Sequence, residues 1–283
     1  MPNRNLVYDA LILRTRESPA GDRILTMMTA EAGLVDVFVF GGPKSKLRSL
    51  ASPFASGRAF VYLEPAKDFR KLSDFEVRDS YPALREELGR LWAAGLVAEL
   101  LIKTSGGGGD FPFVLALGRD TLRALDMQSA ERGDYAVLLF LWRLVGLLGL
   151  GPDTESCASC GRDLATAALG EGRGAPPAFA FSFGAGGFLC PYCDRGSLRG
   201  SSAAGEYVAA SSPNFARESD ASLRLLPAAL HWLRDSEDRP FAEAVSAELD
   251  KPSLAALKAL LFGLARRAAE APLASLAAGF IPT

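Results

Sequence analysis

Four cysteines stand in this 283-residue chain, and their spacing gives them a chemistry. They form two C-x-x-C pairs, Cys157-Ala-Ser-Cys160 and Cys190-Pro-Tyr-Cys193, with none left over. A C-x-x-C turn presents two thiolates to one metal, and two such turns complete a closed tetrahedral site. One structural Zn2+ per chain is the expected ion, although sulfur-only tetrahedral sites also accept iron. Four thiolates leave no open coordination position, so the metal would hold the lobe together rather than do chemistry. The gap between the pairs (161–189) exceeds the usual ribbon spacing, and the Ala/Gly/Pro-rich stretch 165–178 accounts for the excess. Gly161 and Gly196 follow the pairs, where glycine tolerates the φ > 0 of a metal knuckle. A redox role would need a βαβ context, which the pattern lacks, and disulfides do not suit a reducing compartment.

A second segment, Gly-Gly-Pro-Lys-Ser-Lys-Leu-Arg-Ser-Leu-Ala-Ser-Pro-Phe (41–54), carries Lys44, Lys46 and Arg48 among small residues. It reads as an exposed loop. Such a run can follow a phosphate backbone, with Ser45 and Ser49 bonding phosphate oxygens. Standing alone, it would sooner be read as a solvated charged turn, and its place on a small barrel is what favours phosphate binding. Arg70 and Lys71 extend the same positive stretch. Between Gly41 and Lys71 there are seven cations against two anions, Glu64 and Asp68. Phe38, Phe40, Phe54, Phe60, Tyr62, Phe69 and Phe75 lie nearby in sequence, and base-stacking barrels combine aromatics with a basic groove.

Other signals are weak. The Gly-Gly-Pro-Lys-Ser string misses the spacing of a phosphate-binding loop, and Pro43 removes a needed N–H donor. His231 is the one histidine, which excludes multi-histidine metal sites, and its helical surroundings mark a surface or packing residue. No Ser or Cys has a credible base partner, and no acidic motif suggests a nuclease. No catalytic residue is assigned.

The elements that must position these groups follow from periodicity. Up to about residue 80 the pattern has period two, with strands expected at 6–14, 22–29, 34–42, 57–64 and 72–80. Five short strands in that length suit an OB-fold barrel, with a small SH3-like barrel as the alternative. After Tyr81-Pro82 an apolar stripe at helical spacing begins. Helices are expected from Leu84 to about 100, at 111–126, and from Asp134 as cap to about 149. Further helical patterns lie near 203–210, 222–235, 240–249 and 253–270, while 179–190 reads as a hairpin delivering the second cysteine pair. The expected class is α+β: a nucleic-acid-binding OB-fold over 1–80, then a mainly helical domain over 81–283 with a four-cysteine zinc lobe inserted at about 151–200.

The net charge of −2 excludes a uniformly basic nucleic-acid binder. Divided by segment, 1–80 holds 12 basic and 10 acidic residues, and every later segment is slightly acidic. The apolar run 136–150 is too short for a bilayer and carries Arg143, and the N-terminus lacks a secretory pattern. The expectation is a cytoplasmic, nucleoid-associated protein with no membrane partner.

The order of these parts resembles the bacterial recombination-mediator family RecO. The loop 41–54 is similar to that family's glycine-plus-basic loop ending in Pro-Phe. The stretch 21–41 is similar to its second hairpin. FLWRLVGLLGLGPDTESCASCG (140–161) looks like its Leu-Gly-rich helix entering the first cysteine pair. FSFGAGGFLCPYC (181–193) matches its Phe-x-x-x-x-Gly-Gly-x-x-Cys-x-x-Cys pattern. The resemblance implies single- and double-stranded DNA binding on the barrel, and the charge clustering in the loop assigns the phosphate contacts to Lys44, Lys46 and Arg48, with Arg70 and Lys71. It implies annealing of complementary strands. It also implies loading of RecA, together with RecR, onto strands coated by single-strand-binding protein, whose C-terminal tail docks on the helical domain. A zinc-stabilised protein–protein adaptor with little direct DNA binding is the alternative. A metal-dependent enzyme fits poorly with a closed four-thiolate site.

Overall fold

The computed structural model describes residues 4–19, 21–41, 45–67, 69–104, 109–168, 179–198 and 222–277. Five strands come first: Asn5–Glu17 (β1), Arg23–Thr29 (β2), Gly33–Val39 (β3), Ser56–Glu64 (β4) and Phe69–Asp79 (β5). They close into a barrel in the order β1-β2-β3-β5-β4. Neighbours are antiparallel except β3 and β5, which run parallel with Phe38 opposite Lys71. This is an OB-fold barrel, so the SH3-like alternative drops out.

Side-chain alternation fills it. In β3, Val35, Val37 and Val39 are buried, while Leu34, Asp36 and Phe38 face outward. Tyr8, Ile12, Leu25, Met27, Leu72 and Phe75 complete the interior. A Cβ on Gly57 would stand 1.9 Å from the Glu76 carbonyl oxygen, so only glycine lets β4 and β5 approach there. The segment expected as an exposed loop contains a short helix, Lys46–Leu50 (α1), whose Leu47 packs against the barrel core. Five residues are too few to show helical periodicity in the sequence.

Two compact units make up the chain: residues 1–148 with 265–283, and residues 149–264. In the first, a 3-10 turn at Pro82–Arg85 leads to helices Leu88–Lys103 (α2), Phe111–Met127 (α3) and Ala130–Leu147 (α4). The cap of α4 is Ser129, not Asp134. Its first turn, Ala-Glu-Arg-Gly, is nearly devoid of apolar signal, which hid the true start. Every residue from Ala136 to Trp142 is buried, so the most apolar run is a core helix. Among the described residues, no helix is long and apolar enough to cross a membrane.

Strand β2 is buried on both faces because α3 packs on the outside of the barrel. Gly118 permits the close approach, since a Cβ there would sit 3.3 Å from Leu11 and Leu101. Beside it, Arg119 reaches into the barrel wall. Its Nη1 and Nη2 each donate to the Asp9 carboxylate at 2.7 Å, Nε donates to Ser56 Oγ at 2.6 Å, and Nη2 also donates to the Ala10 carbonyl at 3.1 Å. This bidentate pair holds the Asp9 carboxyl below its ordinary range.

A second polar latch ties the C-terminal turn Ala274–Ala277 (α10) to α2. The Glu99 carboxylate accepts from the Ala274 N–H at 2.7 Å, the Ser275 N–H at 2.9 Å and the Ser275 hydroxyl at 2.5 Å, with Lys103 Nζ at 3.0 Å. Trp92 Nε1 donates to the Ser275 carbonyl at 2.6 Å. Burial acts to raise the Glu99 carboxyl, but these donors outweigh it and hold it at about 2, against an ordinary 4.5. The folded form therefore prefers the ionised carboxylate. Its contribution is complete above the ordinary value and fades as pH falls from about 4.5 toward 2. Glu99→Gln is expected to lower stability by about 2 kcal/mol at neutral pH and to flatten the acid limb of a urea-melt pH series.

The second unit contains a three-stranded antiparallel sheet, β7-β6-β8, from Phe179–Ser182 (β6), Gly187–Leu189 (β7) and Ser222–Leu225 (β8). The expected hairpin at 179–190 is present, but 222–225 is a strand rather than the start of a helix. Leu223 and Leu225 alternate, and Pro227 begins the helix that follows, forcing Leu226 into an extended conformation. Helices Leu164–Ala168 (α5), Pro191–Leu198 (α6), Pro227–Asp238 (α7), Phe241–Val245 (α8) and Lys251–Ala269 (α9) complete the described elements. The last residues of α9 belong to the first unit. Helix α8 is shorter than expected, and the expected helix near 203–210 lies outside the described residues.

Candidate functional sites

The cysteine cluster assembles from two turns. Ser156 bridges Asp163, and inside that bridge the Cys157 N–H donates to the Arg162 carbonyl at 2.9 Å. The Gly161 N–H donates back to the Cys157 carbonyl at 2.8 Å, and Gly161 has φ 70°, the left-handed geometry expected of it. The Ala158 N–H then donates to the Phe188 carbonyl at 2.8 Å, fastening this turn to β7. Gly187 allows that approach, because a Cβ there would meet the Ala158 Cβ at 2.8 Å.

Cys190 directly follows β7, Pro191 opens α6, and Cys193 lies in its first turn with its N–H on the Cys190 carbonyl at 3.0 Å. Gly196 falls within α6, so the second turn closes by helix rather than by a glycine knuckle. The four Sγ atoms lie within 4.8 Å of one another, and Cys160 and Cys190 are 3.9 Å apart. Sulfurs at about 2.3 Å from a tetrahedral zinc stand roughly 3.8 Å from each other, so the donor set suits such an ion.

Electrostatics agree with a cation-binding role. Burial acts to raise the Cys157 thiol. Backbone N–H groups of Cys190, Cys160 and Ser159 outweigh it and bring the thiol down to about 6; the Cys190 N–H lies 3.3 Å from its sulfur. Ser159 acts to lower Cys193, but burial and the three neighbouring thiols push it up to about 12. One thiolate, Cys157, is prepared, while Cys193 resists ionising beside its neighbours until a positive ion offsets their repulsion. The cluster can hold a metal ion.

The barrel cations fall in different settings. Lys44 lies outside the described residues. Lys46, on α1, and Lys71, on β5, are exposed. Arg48 is half-buried, with its carbonyl accepting from Arg23 Nη1 at 2.9 Å. Arg70 is half-buried as well. It neighbours Lys71 on one strand, and successive strand residues point to opposite faces. Helix α1 packs against β5, which gathers the four described cations onto two adjoining elements.

Beside Lys71 lies a group of rings. Phe38 and Phe69 have centroids 4.9 Å apart, Phe40 is 6.0 Å from Phe69 and 6.3 Å from Phe38, and Lys71 Nζ stands 5.5 Å over the Phe40 ring. Phe75, by contrast, is core. Period two in β3 could have marked Phe38 and Phe40 as outward, since Val35, Val37 and Val39, which alternate with them, had to face in. His231 is exposed and pairs with Asp235 at 3.3 Å.

A closed OB-fold barrel, helices and a four-cysteine cluster of metal-binding geometry are the parts this chain combines. Comparison with known families is specific. Residues 4–81 match the model for the Recombination protein O N terminal domain, and residues 85–277 match that for the Recombination protein O C terminal domain. The chain belongs to the RecO family and so has a role in DNA repair and recombination.

Curated relatives agree. The chain is 32% identical over 187 residues to the DNA repair protein RecO of Pelotomaculum thermopropionicum, covering 65% of this chain and 67% of that one. It is 33% identical over 192 residues to the DNA repair protein RecO of an Anaeromyxobacter species, covering 66% and 70%.

Proposed function

We propose that the chain is a recombination mediator that holds single- and double-stranded DNA on its barrel and anneals complementary strands. With RecR, it helps load RecA onto strands coated by single-strand-binding protein. The observation that supports this most is the gathering of Lys46, Arg48, Arg70 and Lys71 on α1 and β5 of an OB-fold barrel; Lys44, the other cation of this reading, lies outside the described residues. Lys46 and Lys71 are placed to neutralise phosphates directly, while the two half-buried arginines contribute field more than contact. Two strands held close, with their repulsion screened, meet faster; no bond is made or broken by the protein.

In this reading the barrel (1–80) is the DNA-holding domain and the remainder (81–283) the docking domain, where the C-terminal tail of single-strand-binding protein is received. The cluster Cys157, Cys160, Cys190 and Cys193 holds one structural zinc in the lobe at about 151–200, and the protein works at the nucleoid.

The test is binding of the whole chain to single-stranded DNA across a salt series. Lys46→Ala/Lys71→Ala is expected to weaken binding and to reduce the log–log salt slope by about 1.4, two single-strand phosphate contacts at about 0.7 each. Unchanged affinity and slope would refute the assignment. Negligible DNA binding by the unaltered chain, with partner contacts intact, would favour the zinc-stabilised adaptor instead.

A further inference from the structure

We propose that Phe38, Phe40 and Phe69 form a stacking platform for unpaired nucleobases, which makes the barrel prefer single-stranded over duplex DNA. The proposal rests on the DNA-holding reading above and adds to it the chemical group recognised.

Phe38 and Phe40 occupy outward positions of β3 and its continuation, because Val35, Val37 and Val39 fill the interior. Phe69 opens β5, which pairs in parallel with β3 through Phe38 and Lys71. The three centroids lie 4.9 to 6.3 Å apart, so the rings form one patch. Phe40 is 39% exposed, and Phe38 and Phe69 are half-buried. None of the three belongs to the barrel core. An outward patch of three aromatic rings keeps apolar surface in water unless something covers it.

Charge says what covers it. Lys71 stands over Phe40, exposed Lys67 is two residues before Phe69, and exposed Lys46 is six residues after Phe40 in sequence. The carboxylate on the neighbouring strand, Glu64, lies 3.7 Å from Arg4 and accepts from the Tyr62 hydroxyl. An apolar patch with Lys71 over one ring and further lysines close by in sequence suits a ligand with flat faces and a negative thread, which is a single strand. Bases inside a duplex are already stacked on each other and have no face to offer.

The experiment compares the whole chain with Phe40→Ala and Phe69→Ala variants on three probes: oligothymidine, an abasic oligonucleotide of equal length and a duplex. Each substitution is expected to weaken oligothymidine binding about tenfold while leaving abasic and duplex binding, and the salt slope, unchanged. Equal loss on the abasic strand, or no loss on oligothymidine, overturns the platform and leaves the phosphate contacts standing. Failure of the unaltered chain to bind any probe overturns both readings. Should the alanine variants not fold, Phe40→Trp decides. Its added tryptophan fluorescence is expected to be quenched by oligothymidine and not by the abasic strand, and absence of that difference overturns the platform.

Discussion

Replacing Cys190 with serine is expected to abolish metal binding and to unfold the cysteine lobe. Cys190 has 0% exposure, sits between β7 and α6, and donates its own N–H to the Cys157 sulfur. The sheet around it is small: β6 and β8 have 4 residues each and β7 has 3. Phe179, Phe181, Phe188 and Leu225 supply its apolar filling, each worth roughly 1.5–3 kcal/mol when buried. That is little against the ordering cost of the connecting turns, at roughly 1–2 kcal/mol per residue. Structural zinc contributes about 10–16 kcal/mol of apparent binding energy in small domains, which is enough to decide the balance. Purified protein is expected to carry about one zinc per chain. Cys190→Ser, or chelation of the native chain, is expected to strip hydrogen-exchange protection from the amides of β6 and β7. Full protection in a metal-free chain would contradict the structural role.

Arg119→Met is expected to destabilise the first unit by about 2–3 kcal/mol, less than a fully buried charge pair would cost because Asp9 is 34% exposed. The guanidinium side chain is only 13% exposed and makes four hydrogen bonds to Asp9, Ala10 and Ser56. Without it, Asp9 keeps the more distant Arg78, at 3.5 Å, and the field of Arg58, while Ser56 Oγ and the Ala10 carbonyl lose its donors. The helix that carries Arg119 then keeps its apolar contacts with the barrel wall and the more exposed Arg123–Asp79 pair at 3.6 Å. Asp9→Asn/Arg119→Met should be less damaging than the single changes sum to, because no carboxylate is left uncompensated. Urea melts of the four proteins check this, and simple additivity would show that the pair carries no coupling.

Much of this was legible in residue order. Short runs rich in apolar residues and bounded by turn residues marked all five barrel strands; in β3 the one buried face shows as strict alternation, while β2, buried on both faces, shows as a nearly continuous apolar run. The cysteine pairs marked the metal-type cluster because C-x-x-C spacing permits few other geometries. What escaped had physical reasons. Helix α1 is one short turn and shows no period. Strand β8 is four residues followed by a proline-initiated helix, and its leucines read as part of that helix. Arg119 is 110 positions from Asp9, and Glu99 is 176 from Ser275, so nothing local joins either pair. The cation set was legible as types but not as settings: Lys71 and Arg70 are neighbours in sequence and point oppositely, as alternation requires. The same alternation, applied to β3, separates Phe38 and Phe40 from the core aromatics.

Charge shows the same division. A net of −2 excludes a uniformly basic binder, yet the barrel alone has an excess of cations. The central claim is that this barrel holds DNA through those cations. Its most direct test is equilibrium binding of the unaltered, zinc-loaded chain to a single-stranded oligonucleotide as salt is raised. Measurable binding at low salt is expected, with log affinity falling linearly against log salt at about 0.7 per phosphate neutralised. Absence of binding at low salt, or an affinity indifferent to salt, would contradict it.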